Sequence, residues 1–170
     1  MCSQKRVLSL SIEKMREVAY HDLREFQRTL LTEAERVMET AYNPYSRFYV
    51  GAALLSNKGI IAASNVENSA YGSTICAERA AIVKANSMGI RTFDAVAIIA
   101  RGESFDTKEV TGPCGACRQM LFESSQLSEV PLEVIMSNSR KDKIVVATIE
   151  ELLPLAFGPR ELGIDVSRFR

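Results

Sequence analysis

The chain has 170 residues, the size of one domain that can bury a core. Apolar residues make up 46 % and charged residues 25 %, a mixture typical of folded rather than disordered proteins. The 21 basic and 21 acidic side chains cancel, so no large net field attracts DNA, RNA or an anionic membrane. We therefore expect a small, nearly neutral ligand, with no nucleic-acid polymer and no membrane as partner.

The cysteine content and the apolar segments indicate a cellular compartment. Four cysteines are sparse for a secreted disulfide scaffold of this length: Cys2, Cys76, Cys114 and Cys117. No apolar segment has the length of a membrane span, and the stretch 7–12 is interrupted by serines, which makes it a poor signal peptide. We predict a cytoplasmic protein.

The first half of the chain predicts a helix followed by two strands. From Leu23 onward, apolar residues recur every three or four positions, which predicts a helix that ends near Pro44. Alternation over residues 48–54 predicts a strand, and a turn at 56–59 leads into a second strand over 60–66.

The second half alternates helices and strands. A helix is predicted over 76–88, with Ser73 or Thr74 as N-cap and Gly89 as its C-terminal stop. The apolar run 94–100 predicts a strand buried on both faces, and Pro113 is predicted as the first residue of the next helix. Further strands are predicted over 132–136 and 144–147, before a short helix that opens with the capping box at 148–151.

This order predicts an α/β fold. We expect a three-layer α/β/α arrangement around a mixed sheet of five strands, mostly parallel, with an antiparallel hairpin at one edge. The predicted organisation is an N-terminal extension (1–22), one domain (23–158) and a C-terminal tail (159–170).

Two motifs carry the chemistry: Cys76-Ala77-Glu78 and the Pro-Cys-Gly-Ala-Cys run at 113–117. Cys114 and Cys117 are three residues apart, so on a helix their thiols share a face and can bind one ion. Helix N-termini stabilise thiolates, and three thiolates form a tetrahedral zinc site with one position open, as in catalytic zinc sites. We predict one zinc ion per subunit, bound by Cys76, Cys114 and Cys117.

Two further side chains are predicted to assist this metal. Glu78 lies two residues beyond Cys76, where its carboxylate can accept and return protons. Three thiolates leave the zinc centre negative, and Arg79 is a candidate donor that compensates this charge.

Other interpretations of the cysteines remain open. Cys-x-x-Cys alone also occurs in redox pairs. A structural zinc site would need a fourth ligand, for which Cys2 and His21 are the candidates. A zinc-binding scaffold without catalysis is a third possibility.

The two motifs together are the known signature of zinc deaminases, and further blocks resemble the small cytidine deaminases. The resemblance covers residues 41–158 and rests on these blocks: Pro-Tyr-Ser-x-Phe-x-Val-Gly-Ala-Ala at 44–53, Asn-Val-Glu-Asn at 65–68, Cys-Ala-Glu-Arg at 76–79, Pro-Cys-Gly-Ala-Cys-Arg-Gln at 113–119, and Glu-Leu-Leu-Pro at 151–154 with Phe157. The resemblance implies zinc-dependent hydrolysis of free cytidine and deoxycytidine to uridine and deoxyuridine plus ammonia, in pyrimidine salvage, with Glu78 as the catalytic proton carrier.

The resemblance also implies roles for residues that the pattern alone would assign to turns or core. Asn65 and Glu67 correspond to the pair that binds the ribose hydroxyls, and Phe48 to the aromatic residue that packs on the pyrimidine. Further substrate contacts are implied for three residues: Tyr45, Tyr71 and the backbone of Ala77. Phe157 corresponds to an aromatic residue that enters a neighbouring subunit's pocket, which implies a homotetramer with shared active sites.

Two rival substrates remain, and two segments have no assigned role. A deaminase of a cytosine nucleoside antibiotic such as blasticidin would share the zinc chemistry. A polynucleotide-editing deaminase usually has histidine as its first ligand and a basic strand channel, whereas this chain has Cys76 and no net positive charge. The N-terminal extension and the insertion-like stretch 102–109, which can alter the pocket rim, carry no predicted function.

Overall fold

The computed structural model describes residues 15–170, which contain ten α-helices and β-strands together with short 3-10 helices. In chain order these are β1 (Arg16–Val18), α1 (Glu25–Met38), β2 (Phe48–Ser56), β3 (Gly59–Ser64), α2 (Ala77–Ser87), β4 (Ala95–Gly102), α3 (Gly115–Ser128), β5 (Glu133–Ser137), β6 (Ile144–Thr148) and α4 (Ile149–Leu152).

The strands form one mixed sheet in the order β1-β6-β5-β4-β2-β3. Of the five pairings among these described strands, β4 with β5 is parallel and the other four are antiparallel. The mixed sheet with an antiparallel edge hairpin, β2–β3, is therefore confirmed, but a mostly parallel arrangement is wrong. The turn between β5 and β6 is too short to cross the sheet, so these neighbours run antiparallel.

The predicted count of five strands is also wrong, because β1 adds a sixth at the sheet edge. β1 pairs antiparallel with β6, with Glu17 opposite Val145. It lies inside the segment predicted as an N-terminal extension. Three residues are too few to show an alternating pattern, which explains why the sequence did not reveal this strand.

Helices cover both faces of the sheet, as predicted for three layers. On one face, α1 contributes Leu30 and Leu31 to a core cluster that includes Ile99 of β4. On the other face, residues of α2, α3 and α4 pack around Val96 and Ile98 of the same strand. Strand β4 is thus buried on both sides, as its continuous apolar run predicted.

A glycine sets the closeness of α1 to the sheet. A Cβ at Gly51 would lie 1.9 Å from the carbonyl oxygen of Ala34, so no side chain fits between the helix and β2 at this point. The close contact holds β2, the strand that begins at Phe48, against α1.

The C-terminal tail contacts α3 and the loop that follows α2. Arg170 Nε donates to the carbonyl of Leu127, and Arg91 Nη1 donates to the carbonyl of Phe169. The predicted boundaries at 22/23 and 158/159 stay predictions. None of the helices between residues 15 and 170 combines the length and the apolar character that crossing a membrane requires.

Candidate active site

Two helices begin at cysteines. Cys76 is the N-cap of α2 and Cys114 is the N-cap of α3, both with extended backbone angles. Cys117 lies in the first turn of α3 and is fully buried. All three thiols therefore lie at the positive ends of helix dipoles, where a thiolate is stabilised.

The predicted helix starts differ from these. Ser73 belongs to the 3-10 helix Tyr71–Ser73, and the chain then extends so that Ile75 forms a β-bridge with Val66. The predicted cap of α2 at Ser73 or Thr74 is therefore wrong. Pro113 precedes the N-cap of α3 and is not its first helical residue. Cysteine is not among the usual capping residues, so propensity alone did not indicate these starts.

The three thiols converge on one point. Their Sγ atoms all lie within 4.8 Å of one another. Cys76 Sγ is 3.9 Å from Cys114 Sγ, which is 3.4 Å from Cys117 Sγ. A tetrahedral zinc with Zn–S bonds of about 2.3 Å separates its sulfurs by roughly 3.8 Å. The arrangement of the three sulfurs therefore fits zinc.

The pKa values of the clustered thiols also suit a bound cation. A hydrogen bond with Cys117, a second one with Cys114 and the Arg79 guanidinium together lower the pKa of Cys76 to about 5, against the opposing effect of burial. The same Cys76–Cys117 hydrogen bond, together with burial and the Glu78 charge, raises the pKa of Cys117. One thiol thus ionises easily while another retains its proton, which a bound metal would displace.

Arg79 lies close enough to Cys76 for its guanidinium to lower the pKa of that thiol. Its Nη2 donates to the carbonyl of Thr74 at 2.6 Å. Its Nε is buried and has no hydrogen-bond partner within the described part of the chain. The guanidinium thus combines a fixed position with positive charge next to Cys76.

Glu78 lies in the first turn of α2 and is only 3 % exposed. Burial raises the pKa of its carboxyl group, and the nearby Cys76 charge acts in the same direction. A carboxyl with a raised pKa holds and releases protons closer to neutral pH, as a general acid–base group requires.

Of the two candidates for a fourth zinc ligand, one lies in the described part of the chain. Within residues 15–170, the group of mutually close ligand atoms contains the three thiols and no imidazole or carboxylate. His21 lies on the 3-10 helix Tyr20–Asp22 with 83 % of its side chain exposed, next to Asp22. Cys2 lies outside the described residues.

The predicted base and ribose contacts lie together at the start of β2. The Asn65 amide accepts a hydrogen bond from Val50 N–H and donates one to the carbonyl of Phe48, both at 2.9 Å. Asn65 is buried, so its side chain fixes the backbone that carries the Phe48 ring.

Glu67 and two tyrosines extend this group. Glu67 Oε2 accepts hydrogen bonds from the backbone N–H groups of Tyr45, at 2.9 Å, and Ser46, at 3.2 Å. Burial acts to raise the pKa of Glu67, but hydrogen bonds from Ser46 and from Tyr45 outweigh it and lower that pKa, which keeps the carboxylate charged. The Tyr45 and Tyr71 rings meet edge to face with centroids 5.7 Å apart.

The remaining two predicted substrate contacts are Ala77 and Phe157. Ala77 is the buried first residue of α2, directly between Cys76 and Glu78. Phe157 is 59 % exposed, beyond the end of α4. The role of Phe157 in a neighbouring subunit stays a prediction.

Two residues without a predicted role connect these parts. Arg118 donates through Nε to the carbonyl of Pro113 and through Nη1 to the carbonyl of Leu152. Gln119 Nε2 donates to the carbonyl of Phe157 at 2.8 Å. The first turn of α3 therefore connects the cysteine loop with the segment that carries Phe157. The sequence signal that could have identified Arg118 and Gln119 is their position directly after the Cys-x-x-Cys motif.

Known proteins are similar to most of this chain. The family described as "Cytidine and deoxycytidylate deaminase zinc-binding region" matches residues 24–133. A cytidine deaminase from Halalkalibacterium halodurans is 44 % identical over 138 residues, which cover 81 % of this chain and 98 % of that protein. A blasticidin-S deaminase from Bacillus cereus is 33 % identical over 116 residues, 66 % of this chain and 79 % of that protein.

A solved structure agrees with these sequence matches. The 1.6 Å crystal structure of cytidine deaminase from Burkholderia pseudomallei superposes with a TM-score of 0.68 at 41 % identity, covering 76 % of this chain and 98 % of that one. The resemblance inferred from the sequence motifs and the predicted fold class are confirmed. The chain therefore belongs to the cytidine and deoxycytidylate deaminase family of hydrolases.

Proposed function

We propose that this enzyme deaminates free cytidine and deoxycytidine to uridine and deoxyuridine plus ammonia, as a step of pyrimidine salvage. The observation that carries the proposal is the convergence of three thiols beside the buried carboxyl group of Glu78. Cys76, Cys114 and Cys117 would hold one zinc ion per subunit. Zinc in such a site supplies acidification of a bound water, whose pKa falls to about 7.

Glu78 carries the protons of this reaction. It accepts a proton from the attacking water and delivers it to N3 of the pyrimidine while the water oxygen bonds to C4. It then takes the second water proton from the hydroxyl group now on C4 and delivers it to the exocyclic amino group. As the C4 carbonyl forms, the C4–N bond breaks and ammonia leaves. Water and nucleoside thus account for all atoms of uridine and ammonia. The raised pKa of Glu78 suits both transfers.

The substrate would lie between the thiols and the start of β2. Phe48 would pack on the pyrimidine, and the backbone of Ala77 would contact its polar edge. Asn65 and Glu67 would bind the ribose hydroxyls, because an amide has two donor hydrogens and a carboxylate two oxygens, so both can keep their backbone bonds. Tyr45 and Tyr71 would form the outer wall.

A substrate panel tests this function directly. The purified, zinc-loaded protein is incubated with cytidine, deoxycytidine, cytosine, CMP and blasticidin S, and the ultraviolet change on deamination is followed. We expect turnover of both nucleosides and little of cytosine. Turnover of blasticidin S alone would replace the proposed substrate by the antibiotic, and no turnover of any compound would favour a zinc-binding scaffold.

We expect Glu67→Gln to remove the preference for the nucleoside over the free base. The charged hydrogen bond to ribose contributes about ten- to hundredfold in kcat/KM for cytidine. The measurement is kcat/KM for cytidine and cytosine side by side. A general disturbance of the 44–48 loop lowers both values equally, and an unchanged ratio would contradict the ribose contact.

An exposed apolar surface supports the proposed homotetramer. β-bridges join Val66 to Tyr42 and Ile75, and the rings of Tyr45 and Tyr71 are in contact. All five of these side chains are at least 39 % exposed. Ile75, the last of them in the chain, directly precedes Cys76. A surface of this kind beside a site is typical of a subunit interface, and light scattering should give four times the chain mass of 18.8 kDa.

Subunit mixing tests whether Phe157 serves a neighbouring site. We expect Phe157→Ala to lower kcat/KM for cytidine about tenfold or more, since the proposed contact of its ring with the neighbouring subunit's pocket would be lost. Mixed with Glu78→Gln subunits under conditions of subunit exchange, the Phe157→Ala subunits would receive an intact Phe157 from their partners. Activity should therefore rise above the sum of the separate variants. No rise, with exchange shown by mass spectrometry, would place Phe157 in its own subunit's site.

A further inference from the structure

The connection between β4 and α3 holds an exposed aromatic side chain, Phe105, which is 60 % exposed. Its backbone is fixed close to the end of β4, because Gly102 N–H donates to the carbonyl of Phe105 at 2.9 Å. The next residue, Asp106, accepts hydrogen bonds from Arg140 at 2.8 Å and from Ser139 at 3.0 Å. The loop is therefore held by contacts that do not involve the Phe105 ring.

The Phe105 ring lies beside Phe48. Their ring centroids are 6.5 Å apart and their planes are inclined by 31°, within the range of interacting aromatic pairs. Phe48 and Gly102 are directly opposite in the β2–β4 pairing. A Cβ on Gly102 would lie 2.2 Å from the Phe105 ring, so the glycine provides the space in which this ring lies.

The backbone of Phe48 is fixed more firmly than its ring. Asn65 binds the backbone carbonyl of Phe48, but this contact does not orient the Phe48 side chain. Phe48 is only half-buried, so part of its side chain stays accessible. The described ring contact that limits its rotation is the one with Phe105.

We propose that Phe105 is a positioning residue that holds the Phe48 ring in the orientation that packs on the pyrimidine, and thereby sets nucleoside affinity. The inference rests on the proposed function, in which Phe48 contacts the base. An aromatic ring donates no proton and binds no zinc here, so its loss affects binding and not the chemical step.

The first experiment measures kcat and KM for cytidine in three variants of the zinc-loaded enzyme. Phe105→Ala should raise KM roughly two- to tenfold with kcat within about twofold of wild type. Gly102→Ala keeps both rings but displaces Phe105, and should raise KM in the same range. Phe105→Tyr keeps the ring and should retain the wild-type KM.

A matched control lies in the same loop. Glu103→Gln removes the ion pair of Glu103 with Arg47 and leaves the Phe105 ring in place, so KM should not change. If this control raises KM as much as Phe105→Ala, loop disturbance explains the effect and the inference is overturned. An unchanged KM in Phe105→Ala overturns it as well, whatever happens to Tm.

A double-mutant cycle separates positioning from direct contact. If Phe105 acts through Phe48, then adding Phe105→Ala to Phe48→Ala raises KM no further. Additive increases would mean that Phe105 contacts the substrate or acts elsewhere, which overturns the positioning role. These outcomes need an active wild-type enzyme. A wild type that deaminates neither nucleoside instead overturns the proposed function, so the two failures are distinguishable.

Discussion

Replacing Glu78 by glutamine should lower kcat for cytidine about 10²–10⁴-fold, because the amide has the shape of the carboxyl group but cannot carry protons. KM should change little, since binding of the nucleoside depends on other side chains. The variant should keep one zinc per subunit, because Glu78 is not part of the thiol cluster. Steady-state kinetics and the metal content measured on the same sample check all three expectations.

Stability distinguishes catalysis from a structural role. Glu78 is 3 % exposed and its pKa is raised by burial, so its charged form is unfavourable in the folded protein. A neutral glutamine removes this cost, and Tm should stay equal or rise. The exposed Glu123→Gln on α3 is the matched control and should keep wild-type kcat. Activity above half of wild type in Glu78→Gln would contradict the proton-carrier role.

Periodic burial explains which parts of the fold were predictable. The apolar stripe that begins at Leu23 became α1, and the run 94–100 became the doubly buried β4. Strand direction depends on which neighbours pair across the sheet, and this long-range choice leaves no trace in local spacing. The sequence therefore predicted the elements but neither the antiparallel majority nor the short strand β1.

In the candidate site, too, the sequence predicted residues that local spacing identifies and missed one that depends on distant strand pairing. Cys76, Glu78 and Cys114 could be found from sequence because their chemistry requires particular residue types at fixed spacing. Phe105 has no such constraint. The sequence indicated only that the stretch 102–109 resembles an insertion. Phe105 lies near Phe48 because β2 pairs with β4 and because Gly102 has no side chain in the space that the Phe105 ring occupies.

Cysteine-to-serine substitution at Cys114 should remove zinc and activity without removing the start of α3. Cys114 is the N-cap of this helix, and serine is among the best N-cap residues. A serine hydroxyl does not ionise near neutral pH, so it replaces the thiolate poorly as a zinc ligand. We expect zinc content to fall from one per subunit to near zero, and cytidine turnover to fall below about 10⁻³ of wild type.

Chelator titration and a second cysteine complete this test. Removing zinc from wild type should lower Tm, because a ligand bound only to the folded state stabilises it, whereas Cys114→Ser should not respond to the chelator. Cys2→Ser is the matched control and should keep zinc, turnover and the response to chelator. Loss of zinc in Cys2→Ser would identify Cys2 as a fourth ligand and favour a structural site. Full zinc content in Cys114→Ser would contradict the three-thiolate centre, since two thiols alone would then hold the metal.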